Sequence, residues 1–67
     1  MISFEPFRIY CVKNNKKQKD VRDETGLAHA TVNKLFNDKP IKVEVVEKLC
    51  EHYDLKVEEV IEYKSTN

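Results

Sequence analysis

Apolar side chains recur along this chain at intervals of three and four residues, which is the period of an amphipathic helix. Phe7, Tyr10 and Cys11 show this spacing directly after Pro6. Proline suits the first turn of a helix, because its missing N–H removes no hydrogen bond there. The spacing continues in further segments, and together they predict five short helices, at about 6–14, 18–24, 29–37, 43–53 and 57–61.

The chain offers little material for a sheet. One glycine and two prolines are too few for the many turns that a sheet would require. Ile2 and Phe4 near the beginning, and Ile61 and Tyr63 near the end, alternate with polar neighbours as strand residues do. We therefore expect an all-α bundle of about five short helices, in which the two termini pair as a small strand ladder.

Sixty-seven residues are enough for one domain only. With 40% hydrophobic and 36% charged residues, the composition is typical of a folded domain. We expect that domain over residues 1–63, followed by a flexible tail over 64–67. No apolar run exceeds four residues, so neither a membrane span nor a secretory signal is indicated. The sequence thus predicts a cytoplasmic protein without a membrane partner, in which Cys11 and Cys50 are reduced core residues.

The formal net charge is zero, but the charges are unevenly distributed. Residues 1–42 carry nine Lys or Arg against five Asp or Glu, whereas residues 43–67 carry three against seven. A protein polarised in this way can turn a basic face toward phosphates and hold an acidic face away from them. Its zero net charge predicts weak non-specific binding to DNA.

Residues 18–37, QKDVRDETGLAHATVNKLFN, carry the strongest functional pattern. Two short helices flank Gly26, and a glycine at the end of the first permits a sharp turn. The apolar positions of both helices fit a steep crossing around one contact. The core of this motif is predicted to be Val21, Gly26, Leu27, Val32 and Leu35.

The segment resembles the Cro/repressor-type helix-turn-helix of phage and bacterial regulators, in particular small members that are little more than the DNA-binding domain. The resemblance extends over roughly residues 6–63, since residues 43–50 and 57–63 resemble the fourth and fifth helices of that family. It implies a lambda-repressor-like fold and a sequence-specific transcriptional regulator, with repression as the expected effect. It further implies a recognition helix at about residues 29–37 and a bracing and DNA-contacting role for Gln18.

Side-chain chemistry suggests which residues would contact double-stranded DNA. Amide, imidazole and ammonium groups can bond base edges in the major groove, as Asn33 can to adenine and Lys34 to guanine. Phosphate contacts position a protein without specifying sequence. The expected base contacts are Gln18, His29, Ala30, Asn33 and Lys34, and the expected phosphate contacts are Lys16, Lys17, Thr31, Asn37 and Lys39.

Two positions depart from the family pattern. Arg22 stands where a small residue such as alanine is usual, so it has to extend outward or open the packing between the helices. Ala28 stands at the recognition-helix cap in place of the usual Ser or Thr, and an uncapped start costs about 1 kcal/mol.

One such module contacts about half an operator, so a homodimer on a near-palindromic site is expected, with half-sites roughly 10 bp apart or a multiple of it. The fourth helix, the fifth helix or the termini would supply the contacts. The candidates are Val57, Val60, Ile61 and Tyr63.

Other functions have weaker support in the sequence. Cys50 and His52 would point about 200° apart on one helix, and no Cys-x-x-Cys pair is present, so no metal site is expected. We also expect no cofactor and no enzyme activity, because no phosphate-binding glycine loop or catalytic spacing stands out. A helical protein-interaction module or antitoxin-like protein, using the acidic face of residues 44–62, stays open as the alternative.

Overall fold

The computed structural model describes residues 1–65. Two strands pair antiparallel, with Ile2 opposite Tyr63 and Ser3 opposite Glu62. The predicted all-α bundle with a strand ladder at the termini is confirmed. Its elements are β1 (Ile2–Ser3), α1 (Glu5–Lys13), α2 (Gln18–Thr25), α3 (His29–Phe36), α4 (Val43–Tyr53), one turn of 3₁₀ helix (Val57–Glu59) and β2 (Glu62–Tyr63).

The fifth helix is shorter than the sequence pattern predicts. Only Val57–Glu59 are helical, as a 3₁₀ turn, and the prediction of a helix over 57–61 is corrected accordingly. Two tertiary constraints shorten it, because Val60 packs into the core and the chain is extended again at Glu62 to pair with β1.

Lys64, the first residue of the predicted tail, contacts the beginning of the chain. The N–H of Lys64 donates to the carbonyl of Met1 at 2.7 Å, and the Lys64 ammonium pairs with the Glu5 carboxylate. Lys64 therefore extends the terminal ladder. The last two residues of the predicted tail, 66 and 67, lie outside the described residues.

The apolar core contains side chains from the residue that follows β1, from all four α-helices and from the segment before β2. Phe7 lies among other aromatic rings, with centroid distances of 6.1 Å to Tyr10, 5.9 Å to Tyr53 and 6.4 Å to Phe36. Burying a side chain of this size contributes about 1.5–3 kcal/mol. The buried apolar residues are Phe4, Phe7, Cys11, Val21, Val32, Leu35, Val46, Leu49 and Val60.

Two of these core positions bear on the sequence predictions. Val60 is 0% exposed, so its side chain is not available to a second copy, and its assignment as a dimer contact is corrected. Cys11 is a buried free thiol, and burial raises its pKa to about 11. At neutral pH it is protonated and behaves as a small apolar side chain.

Asn and Asp supply positive backbone φ angles where glycine is more usual. Asn15, Asp38 and Asp54 each have a φ of 54°, a conformation that these two residue types adopt more readily than others. After α1, the N–H groups of Asn15 and Lys16 donate to carbonyls of the last helical turn, as in a Schellman motif. A chain with one glycine can therefore still end its helices sharply.

Asp38 ties the end of α3 to the start of α1. Its carboxylate accepts the N–H of Phe4 at 2.7 Å and two guanidinium nitrogens of Arg8 at 2.6 and 3.2 Å. Arg8 also donates to the carbonyl of Leu35, the next-to-last residue of α3. The Arg8 guanidinium, followed by the Phe4 N–H, lowers the pKa of Asp38 below its ordinary value.

Within residues 1–65, no helix has the length and apolar character needed to cross a bilayer.

Candidate nucleic-acid interface

The turn between α2 and α3 is built around Gly26 and Thr25. Gly26 has a φ of 74°, and its N–H donates to the carbonyl of Arg22 at 2.8 Å. A Cβ at this position would meet nothing within 4 Å, so the requirement for glycine is one of backbone conformation. Thr25 is buried, and its hydroxyl donates to the carbonyl of Val21 at 2.6 Å while accepting the N–H of Leu27 at 3.2 Å.

Thr25 was not among the residues singled out from the sequence. Its position four residues after Val21 was the available signal, because both then lie on the buried side of α2. Val21, Val32 and Leu35 are fully buried, and Leu27 packs at the edge of the core. The two helices are thus held across the turn by an apolar contact and by the Thr25 hydroxyl.

One side of α3 is exposed along the whole helix. Val32 and Leu35 are buried on the opposite side, and Thr31 and Phe36 lie at the border. At 100° per residue, the exposed positions fall within an arc of about 140°. They are His29, Ala30, Asn33 and Lys34, followed by Asn37 immediately after the helix. The structure therefore brings together the four α3 residues predicted to contact bases.

Asn37 restrains the side chain of Asn33. The Asn37 amide nitrogen donates to the backbone carbonyl of Asn33 at 2.7 Å and to its Oδ1 at 3.3 Å. The side-chain oxygen of Asn33 is therefore directed toward Asn37. The two N–H donors of the Asn33 amide can then bond another partner. Asn37 was predicted to contact phosphate, and the structure shows its donors directed at Asn33.

Three lysines, on α3 and in the segments before α2 and after α3, have no ion-pair partner among residues 1–65. Lys17 precedes α2 and is exposed, as are Lys34 on α3 and Lys39 after it. Thr31 and Lys34 line one side of a cleft of about 320 Å³, and Lys42 lines it from the start of α4. Lys42 was not among the predicted site residues, although the sequence places it two residues after Pro40 in the same basic segment.

The comparison with known protein families agrees with this geometry. A family described as the Cro/C1-type HTH DNA-binding domain, where HTH denotes helix-turn-helix, matches residues 7–65. The chain belongs to this family. The searches of curated proteins and of solved structures returned no match. Membership identifies the chain as an HTH protein that binds double-stranded DNA, as the sequence resemblance predicts.

In this Cro/C1-type domain, Lys16 has a partner inside the molecule. Its ammonium bonds both carboxylate oxygens of Glu24 at 2.9 Å and lies 5.5 Å from the ring centroid of Tyr53. The Tyr53 hydroxyl donates to the same carboxylate at 2.7 Å. Only 21% of the Lys16 side chain is exposed. Lys16 was predicted to contact a DNA phosphate, and the structure shows its ammonium joining the loop after α1 to α2 and α4.

The two departures from the family pattern are visible in the HTH domain. Arg22 is half-buried, so part of the side chain lies against the protein. Ala28 is the N-cap of α3, with φ of −65° and ψ of 152° and no side-chain hydrogen bond to the helix. The first N–H groups of α3 accordingly lack the hydroxyl cap that Ser or Thr would supply.

Two further predictions concern the start of α2 and metal binding. Gln18 is the first residue of α2 and is half-buried, and no hydrogen bond joins its side chain to α3 within the described part of the chain. Its bracing role stays a prediction.

Across residues 1–65, no three His, Cys, Asp or Glu side chains converge as metal ligands would.

Proposed function

We propose that this Cro/C1-type protein is a sequence-specific transcriptional regulator with α3 as its recognition helix in the major groove. The observation that carries the proposal is the exposed face of α3, which places imidazole, amide and ammonium groups side by side. The major groove of B-DNA admits an α-helix and presents a distinct donor and acceptor pattern for each base pair. The cytoplasm is the proposed place of action, because the resemblance is to phage and bacterial regulators, whose DNA targets lie there.

The side chains divide by chemistry into base and phosphate contacts. Lys34 donates to guanine O6 or N7, and Asn33 offers its amide nitrogen to adenine N7. His29 and Ala30 enter the groove at the start of α3, and Gln18 approaches from α2. Lys17, Lys39 and Thr31 contact phosphates, and Lys42 joins them because it lines the same cleft as Thr31.

The regulator acts as a homodimer on a near-palindromic operator. The terminal ladder supports this part of the proposal, because it exposes two apolar side chains next to each other. Tyr63 is 74% exposed, and Ile2, opposite it in the ladder, is 47% exposed. These two residues form the terminal patch, through which we propose that two copies associate. Repression would follow from occupancy of an operator that overlaps a promoter.

Selection of random DNA duplexes tests this function directly. The wild-type protein is expected to enrich an inverted repeat with half-sites roughly 10 bp apart or a multiple of it. Lys34→Ala should enrich a less defined sequence, whereas Lys48→Ala, an equal loss of charge from the exposed side of α4, should enrich the wild-type repeat. Absence of any enrichment at low and moderate salt would contradict the proposal. Sedimentation showing a monomer both free and on DNA would contradict the dimer.

A further inference from the structure

An apolar groove lies beside α4 and shares no lining residue with the cleft next to α3. It has a volume of about 440 Å³ and is lined by Val43, Val46, Glu47, Cys50, Glu51, Val57 and Ile61, which together we call the α4 groove. Val43 is 79% exposed and Val57 is 58% exposed. Single exposed apolar side chains are common, but a cleft lined by several of them marks an interaction site in many proteins.

The charged residues of the groove all have the same sign. Glu47 and Glu51 are one helical turn apart on α4, both are exposed, and neither has an ion-pair partner among residues 1–65. Among residues 1–65, no Lys or Arg lines the groove. Of the 3₁₀ turn, only Val57 lines this groove, whereas Glu58 lines a separate cleft against α1. An apolar floor with a carboxylate rim favours an occupant that has apolar and cationic groups in register.

We propose that the α4 groove binds a basic amphipathic helix of a partner protein. Its apolar face would lie on Val43, Val46 and Val57, and Lys or Arg side chains at its edge would pair with Glu47 and Glu51. This is the helix-in-groove mode of recognition, in which apolar positions one turn apart anchor the helix. The proposal gives the protein a second binding surface and does not rest on the DNA-binding proposal.

A second copy of this chain fits the groove less well than a basic helix. A two-fold contact through the groove would bring the Glu47 and Glu51 carboxylates of both copies toward each other, and like charges oppose association. A nucleic acid is disfavoured for the same reason. The terminal patch, which we assign to the dimer, is formed by other residues.

The binding test uses a matched pair of synthetic helical peptides of about 18 residues, or five turns. One peptide has a Leu/Ile face and a Lys/Arg face, and the other has Glu in place of every Lys and Arg. Nuclear magnetic resonance of the ¹⁵N-labelled full chain should show that the basic peptide shifts the amides of α4 and the 3₁₀ turn. We expect the basic peptide to bind at least about tenfold more tightly than the acidic peptide. In the acidic peptide, two or more attractive ion pairs with the carboxylates of the groove are replaced by repulsive pairs of like charge. Equal affinities, or shifts confined to other elements, would overturn the proposal.

Charge reversal at the rim tests whether the peptide preference comes from the groove itself or from the net charge of the protein. Glu47→Lys with Glu51→Lys should reverse the preference, so that the acidic peptide binds more tightly. The control, Glu44→Lys with Glu62→Lys, makes the same change in net charge at exposed residues outside the groove, and it should keep the preference for the basic peptide. Similar effects of the two double variants would overturn the proposal.

A third variant distinguishes the partner helix from self-association. Val57→Lys should abolish peptide binding while thermal unfolding and sedimentation stay as in the wild type. If it instead dissociates a dimer, the groove is an interface between copies and the proposal fails. Operator binding, measured in parallel on the same variants, reports on the DNA-binding proposal independently.

Discussion

At the scale of single residues, Lys34 and Lys17 differ in position although both are exposed lysines. Lys34 lies on the exposed face of α3, and Lys17 lies at the start of α2. Lys34→Ala should cost about 1–3 kcal/mol on the preferred operator and relax the base preference. Lys17→Ala should weaken binding to all sequences alike and reduce the salt slope by about one. Fluorescence anisotropy with the operator and its point variants at several salt concentrations measures both. The reverse result would show that α3 is not the recognition helix.

Asn37 and Asn14 form a matched pair that separates DNA recognition from helix capping. Both are exposed C-cap residues whose amide nitrogens donate to the carbonyl four residues earlier, but only Asn37 also contacts a side chain assigned to a base. Asn37→Ala should weaken operator binding by about 0.5–1.5 kcal/mol, because Asn33 loses the bond that restrains it. Asn14→Ala should leave the operator affinity unchanged. A similar loss of affinity in both variants would assign the effect to stability.

At the scale of elements, the start of α3 has an unused cap position. Ala28 already has the extended backbone of an N-cap residue, so Ala28→Ser can place its hydroxyl to accept an N–H of the first turn. The free energy of unfolding should rise by about 1 kcal/mol, as measured by urea denaturation. Ala30→Ser, inside the helix, is the control and should give no gain. No gain from Ala28→Ser would show that these N–H groups are already satisfied.

The bounds of the elements show which local signals are reliable. The helix after Lys42 covers the residues that the apolar spacing predicts, Val43 to Tyr53. The prediction was wrong at residues 57–61, where five residues contain little more than one turn and their spacing fits more than one conformation. Packing of Val60 and pairing of β2 determined the outcome there.

At the scale of the whole molecule, the Asp38 pair joins the beginning of the chain to the end of α3 and makes stability depend on pH. Because the folded state lowers the pKa of Asp38 below its ordinary value of 3.8, this stabilisation is complete above about pH 5 and is lost as pH falls through the folded pKa. Asp38→Asn should lower the free energy of unfolding at pH 7 by about 1–3 kcal/mol. The difference from the wild type should shrink as pH falls below 4.

Asp54→Asn is the control for this experiment. Asp54 also has a φ of 54° at the end of a helix, and it has no ion pair within the described part of the chain. Asn tolerates this backbone conformation, so neither substitution strains the chain. Urea denaturation between pH 7 and pH 3 measures both variants. An equal loss of stability in the two would show that the Arg8 pair contributes nothing specific.

Features that depend on near neighbours could be predicted from the sequence alone. Apolar spacing located the four α-helices, Gly26 marked the turn between α2 and α3, and the segment around it indicated the HTH family. The exposed face of α3 followed as well, because the positions of Val32 and Leu35 define the side opposite to it. These features could be predicted since each depends on residues within one or two helical turns.

Contacts between side chains that are far apart in the sequence became visible only in the folded molecule. Lys16 bonds Glu24 together with Tyr53, which lies 29 residues beyond Glu24, and Arg8 pairs with Asp38 across 30 residues. The burial of Val60 and the formation of the α4 groove likewise require packing between separate elements. A lysine before a helix or a valine near the end of the chain has the same local pattern whether it is exposed or enclosed. Burial and charge pairing depend on the three-dimensional packing of distant segments, and spacing along the sequence does not encode that packing.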